Sequence, residues 1–134
     1  QRAEATVNCR IFPGTPIATV QEQLVAALAN PALSVEVMGN PTATPASEMR
    51  PDITAAITRS IHARYPGVTI TPSLSAGATD GLFYRAAGVP TYGSGGNFSV
   101  PGEEFAHGLN EKIRTEGFYA AIEHIHDLAV ELGS

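Results

Sequence analysis

From Ala3 to Ile11 apolar and polar positions alternate, with Ala3, Ala5, Val7, Cys9 and Ile11 on one face and Glu4, Thr6, Asn8 and Arg10 on the other. A period of two is that of a half-buried strand, so the spacing predicts one, with Asn8 and Arg10 pointing together off the core. Pro13 and Gly14 end it. Thr15 is then a plausible cap with Pro16 in the first helical position, and Ile17, Val20, Leu24 and Leu28 recur at helical spacing as far as Asn30-Pro31. Leu33, Val35 and Val37 alternate with Ser34, Glu36 and Met38, which predicts a second strand returning beside the first. Residues 1–40 therefore read as a strand-helix-strand layer.

No periodic segment crosses residues 39–47, where Pro41 and Pro45 lie just ahead of Pro51, so residues 41–47 read as a connector to a second region, 48–134. Pro51 opens a helix with Ile53, Ala56, Ile57, Ser60 and Ile61 on one face, ending at Pro66-Gly67. Val68 to Thr71 reads as a short strand, Asp80 to Ala87 as a brief helix capped by Thr79 and closed by Gly88, and Val89 to Tyr92 as a further strand. After an irregular loop, a last helix capped by Thr115 carries Phe118, Ala121, Ile122, Ile125, Leu128, Ala129 and Leu132 on a stripe expected to lie flat on the sheet. Alternating helices and strands predict the α/β class.

Composition narrows the partners. At 134 residues, 43% apolar and 16% charged, the chain can bury a modest core. The net charge of -5, with Arg59 and Arg64 as the only close basic pair, argues against nucleic acid. No apolar run approaches the ~20 residues of a membrane span. Cys9, the single cysteine, excludes an internal disulfide and reads as a buried thiol with no redox role. Gln1-Arg2-Ala3-Glu4 does not resemble a signal peptide, and a start without Met suggests a chain processed or cut from something longer. Composition gives no hint of compartment.

The chemistry concentrates between Ser75 and Ile113. His107, followed by Gly108, Asn110 and Glu111, reads either as a site histidine near a strand end or as a plain loop residue. Thr79 and Asp80 at a helix start could hold a carboxylate on the unpaired backbone donors, or simply cap the helix. Arg85, one turn on, could fork a carboxylate or be a surface arginine. Gly93, Gly95 and Gly96 around Ser94 permit close backbone approach to a ligand but lack phosphate-loop spacing. His124 and His126, about 200° apart on a helix, cannot share a metal and read as surface residues. Glu103-Glu104 reads as a solvated pair without partners of its own. No Gly-x-Ser-x-Gly elbow is present, which disfavours a serine hydrolase.

Taken in order, Ala5-Thr6-Val7-Asn8-Cys9-Arg10-Ile11-Phe12-Pro13-Gly14, Gly77-Ala78-Thr79-Asp80-Gly81 and His107-Gly108-Leu109-Asn110-Glu111-Lys112-Ile113 resemble the carboxyl-terminal part of a zinc metallopeptidase family. That family includes aminoacylases, glutamate carboxypeptidases and succinyl-diaminopimelate desuccinylases. The resemblance implies a zinc-peptidase α/β domain (48–134) preceded by the second half of a ferredoxin-like lid and dimerisation domain (1–40). It implies that His107 is the final metal ligand, that Asn8 and Arg10 reach the substrate from the lid, and that Thr79, Asp80, Arg85, Ser94 and Gly95 line the pocket. The expected reaction is hydrolysis of an amide bond in an N-acyl amino acid or short peptide by a metal-activated water. Two zinc ions are implied, with the remaining ligands and the general base upstream of the quoted segments; a catalytic zinc takes about three protein ligands, and His107 supplies one. The implied partners are the upstream half of the same enzyme and a second copy bound through the lid. The alternative is a non-catalytic remnant or association module.

Overall fold

The computed structural model describes residues 2–75, 77–99, 102–103 and 105–134. Its helices are α1 (Ile17–Leu28), α2 (Pro51–Arg64), α3 (Gly81–Ala86) and α4 (Thr115–Leu132), and among the described residues none is in a β-strand. The α/β class and the ferredoxin-like lid expected from the alternation are thereby overturned: the chain is helical, with extended connections.

The reason lies in what alternation can specify. It says which side chains a strand would bury, but a strand exists only when its N–H and C=O groups pair with a neighbour. Every described residue from 2 to 10 is exposed, Val7 at 70%, so the face expected to be buried has nothing packed on it. Cys9, expected to be buried, is exposed too. Asn8 and Arg10 accordingly do not point off a core; that segment has none. Elsewhere side chains take the place of ladder partners. The His62 Nε2–H donates to the Val68 carbonyl at 2.9 Å. The Ser47 hydroxyl donates to the Thr91 carbonyl at 3.0 Å and accepts from the Thr91 N–H at 2.8 Å.

The chain divides into two compact units, Gln1–Glu48 with Leu74–Thr91 and Met49–Ser73 with Tyr92–Ser134. In the first, Pro13 and Gly14 (φ 80) form a tight turn closed by the Thr15 N–H on the Phe12 carbonyl, with glycine where the backbone turns left-handed. Pro16, not Thr15, is the cap of α1, and no side chain caps it. The helix ends at Leu28, just before the predicted Asn30-Pro31, and its cap residue Ala29 stands left-handed at φ 44 and donates its N–H to the Val25 carbonyl. No residue of α1 is buried; Gln21 Nε2 ties it to the Val35 carbonyl at 2.8 Å. The short α3 has Asp80 rather than Thr79 at its cap position, again without a side-chain cap bond, and Gly88 (φ 81) follows it.

In the second unit α2 packs on α4. Pro51 sits in the first turn of α2, and the predicted face is the inner one: Ala56, Ser60 and Ile61 are buried, Ile53 and Ile57 half-buried. Helix α4 begins at Thr115, with Arg114 at the cap position. It does not lie on a sheet, and the inward line differs from the predicted stripe. Gly117 and His124 are buried and Ala120, Ala121, Asp127 and Leu128 half-buried, whereas Phe118, Ile122, Ile125 and Leu132 are about half exposed. Small residues win this face because close approach needs them. A Cβ on Gly117 would stand 2.9 Å from Asn97 Oδ1 and 3.5 Å from the Phe98 carbonyl oxygen, so the 97–98 segment crosses the helix there. Phe98 in turn stacks against Tyr65, ring centroids 4.3 Å apart. The apolar core is slight, with only Ala56 and Ile61 buried among the described hydrophobic residues, so polar contacts must specify how the two helices meet.

Candidate functional site

His124 projects from the inner face of α4 and is 1% exposed, the largest fully buried side chain among the described residues. Its Nδ1 lies 2.9 Å from Ser60 Oγ on α2, and its Nε2 lies 2.8 Å from Ser94 Oγ in the glycine-rich loop. Ser60 Oγ also donates to Asp127 Oδ2 at 3.1 Å. Arg64 closes the cluster. Its Nη1 is 2.8 Å from Asp127 Oδ2, donates to the Ser60 carbonyl at 2.8 Å and to Ser60 Oγ at 3.1 Å, and its Nε donates to Glu123 at 3.1 Å.

The tautomer of the imidazole is assigned from the Ser60 hydroxyl, which donates to Asp127. Asp127 is an acceptor, so the single hydroxyl hydrogen of Ser60 goes to it. The Ser60 oxygen then receives hydrogens from Arg64 and from His124 Nδ1, which leaves Nε2 bare to accept the Ser94 hydroxyl hydrogen. The Arg64 guanidinium holds the Asp127 carboxyl below its ordinary range, helped by the Ser60 hydroxyl. Burial pushes the His124 pKa down, the Arg64 charge adds to this, and Asp127 opposes it. The ring is therefore neutral at neutral pH.

The glycine loop is fitted to this ring. Gly96 has φ 63, and a Cβ there would fall 2.6 Å from Cβ, Cγ and Cδ2 of His124. Only glycine can be both left-handed and that close. Among the described residues a Cβ on Gly93 or Gly95 would meet nothing within 4 Å, so the described part of the loop is open on either side of half-buried Ser94.

The residues expected to carry function are distributed as follows. In the first unit, Thr79 and Asp80 are exposed and Arg85 is half-buried, its Nε donating to Thr44 Oγ1 at 3.4 Å. A Cβ on buried Gly81 would lie 2.9 Å from Arg85 Nη1 and 3.1 Å from Thr79 Oγ1, so those two groups flank the same glycine. Asn8 and Arg10 are exposed in the same unit. In the second unit, Ser94 is bound to His124, while Gly95 and His107 are exposed. His107 has φ 62, uncommon for a residue with a Cβ, in a turn where the Gly108 N–H reaches the Phe105 carbonyl at 3.4 Å.

Two expectations are corrected here. His124 is not a surface residue but the centre of the buried cluster; His126 is at the surface, 74% exposed. Glu103 has a partner, both of its oxygens forked by Arg114 at 2.6 and 2.7 Å, which lowers its pKa; Glu104 lies outside the described residues. The His124 position was readable from the sequence by one step more. Gly117, Ala121, His124 and Leu128 follow helical spacing, and a polar residue on that line calls for a partner such as Ser60, the polar residue on the inner line of α2.

Among the described residues no group of three His, Cys, Asp or Glu side chains could hold a metal ion. His107 does not by itself fit a catalytic metal, which takes about three protein ligands.

A family model described as Peptidase family M20/M25/M40 matches residues 2–131 of the chain. No curated protein and no solved structure matches it.

Proposed function

The chain belongs to Peptidase family M20/M25/M40, and on that premise we propose that it is the carboxyl-terminal part of a zinc-dependent amidohydrolase that cleaves an amide bond of an N-acyl amino acid or short peptide. The observation that carries this reading is the family match, which spans residues 2–131. The finer assignment to aminoacylase-like, carboxypeptidase-like or desuccinylase-like chemistry rests on the three quoted segments.

In this reading the chain's own residues bind and orient. Arg85, half-buried beside the Thr44 hydroxyl, takes the substrate carboxylate, with Thr79 and Asp80 next to it. Asn8 and Arg10 supply further polar contacts from the first unit, and in the second unit Ser94 and Gly95 are assigned to substrate binding on the family resemblance alone. His107 would hold one of two zinc ions, whose chemistry when bound is to make a water acidic enough to ionise near neutral pH. The described residues do not complete that site, so the other ligands and the general base are assigned to an upstream segment of the same enzyme. Residues 1–40 are the segment through which two copies would associate.

The test is an assay of amide hydrolysis with added zinc, on this chain and on this chain combined with the segment that precedes it in the gene. Activity only in the combination supports the reading, and His107→Ala in the combination should lower the zinc bound per molecule. Full activity of the chain alone would overturn the need for an upstream half. Zinc stoichiometry unchanged by His107→Ala would remove His107 from the metal site.

A further inference from the structure

We propose that Ser94 is a reactive nucleophile, made so by His124 and the hydrogen-bond relay that runs through Ser60 to Asp127, and that it takes small activated acyl or phosphonyl esters. The metal-dependent reading gives Ser94 a place in substrate binding but makes no use of its hydroxyl or of the His124, Ser60 and Asp127 relay behind it.

The argument begins with where the hydrogens are. Asp127, charged beside Arg64, claims the Ser60 hydrogen at 3.1 Å, Ser60 oxygen claims the His124 Nδ1 hydrogen at 2.9 Å, and His124 Nε2 claims the Ser94 hydrogen at 2.8 Å. Each donor is spoken for. The Ser94 oxygen therefore turns its remaining lone pairs away from the ring, toward the open side of the loop. A serine whose hydrogen is drawn to a neutral imidazole, with the far ring nitrogen donating toward a carboxylate, is the arrangement that activates a hydroxyl for attack. Here a second hydroxyl, Ser60, stands between ring and carboxylate.

Access and exclusion agree with this. Gly93 and Gly95 leave space for at least 4 Å where their side chains would be, so a small electrophile can approach Ser94 from either side. Gly96 seals the imidazole by lying against it, and His124 is 1% exposed, so water cannot compete for Nε2. The missing Gly-x-Ser-x-Gly elbow is no obstacle, because the base arrives from α4, thirty residues along the chain.

With a fluorophosphonate the step balances. Ser94 Oγ bonds to phosphorus, the phosphorus–fluorine bond breaks and fluoride leaves with its electron pair, while the hydroxyl proton passes to His124 Nε2. The charged groups facing the resulting imidazolium are Asp127 from α4, which favours it, and Arg64 from α2, which opposes it; residues 93–98 bring no titratable side chain.

The experiment treats the purified chain with an alkynyl fluorophosphonate in the presence of EDTA and maps the adduct by mass spectrometry. One adduct on Ser94 is expected, lost in Ser94→Ala, with a labelling rate that rises with pH to a plateau and whose midpoint lies below the ordinary histidine value, because burial lowers the His124 pKa. His124→Gln should slow labelling by about 10²–10⁴-fold, the usual range for a positioned general base. Because that variant removes a buried side chain, the pH profile of the unaltered chain serves as the second reading. No adduct on Ser94, or a rate equal to that in 6 M urea, overturns the proposal. EDTA separates this outcome from the zinc-dependent reading, so either can fail without the other.

Discussion

At Gly96 two demands meet in one residue: a left-handed backbone and contact with an imidazole that leaves no room for a methyl group. Gly96→Ala should cost about 2 kcal/mol or more, the sum of a left-handed non-glycine residue and a clash with a buried ring. Gly95→Ala, one residue away with open space around it and no positive φ, should change stability by no more than about 0.5 kcal/mol. Urea denaturation midpoints of the two variants test the difference, and equal midpoints would mean the loop does not rest on His124. The same ring predicts a pH dependence. Its folded pKa lies below the ordinary 6.5, so when pH falls below 6.5 the unfolded chain takes up a proton that the folded chain refuses. Stability should therefore decline from pH 7 toward pH 5, and the decline should be shallower in His124→Gln. Site legibility divides along this line. His107, Thr79, Asp80 and Arg85 could be singled out because their neighbours form local patterns, whereas the His124 cluster joins positions 60, 94, 124 and 127, which only packing brings together.

Helices fared better than strands in the reading of the sequence because a helix satisfies its own backbone. The extent of α2 and the end of α1 follow from proline, glycine and 3.6-residue spacing, all local. A strand's partner is elsewhere in the chain, so the alternation at 3–11 and 33–38 carries the pattern without the pairing. Even for α4, spacing located the helix but not its inner face: bulk suggested Phe118, Ile122 and Ile125, and close approach selected Gly117, Ala121 and His124. These differences predict different local stabilities. Helix α1 buries no residue, while α2 and α4 share a core, so hydrogen exchange should be fastest in residues 17–28 and slowest in the middles of α2 and α4. Just past α1, Ala29→Gly should relieve the left-handed alanine at the helix cap by about 1 kcal/mol and measurably slow exchange in the last turn. Unchanged exchange there would show that the alanine is not strained.

Across the described chain, the arginines of the second unit are committed to carboxylates: Arg50 to Asp52, Arg59 to Glu131, Arg64 to Glu123 and Asp127, and Arg114 to Glu103. Such pairs hold the pKa values of Asp52, Glu103 and Asp127 below their ordinary range. A depressed carboxyl contributes stability above its unfolded pKa, about 4, and loses it as pH falls through the lower folded value, so acid should unfold the chain progressively below pH 4. Hydrophobic side chains are left outside as well. Phe118, Ile122, Ile125 and Leu132 on α4 are each about half exposed, beside the more exposed Tyr119 and Val130. Contiguous apolar area of this kind binds hydrophobic dyes and promotes association. The double variant Ile122→Glu, Ile125→Glu should reduce ANS fluorescence of the folded chain several-fold and leave the urea midpoint within about 0.5 kcal/mol of the parent, as surface substitutions do. Loss of cooperative unfolding in that variant would instead place these side chains in the core, and with them the stripe that helical spacing alone had pointed to.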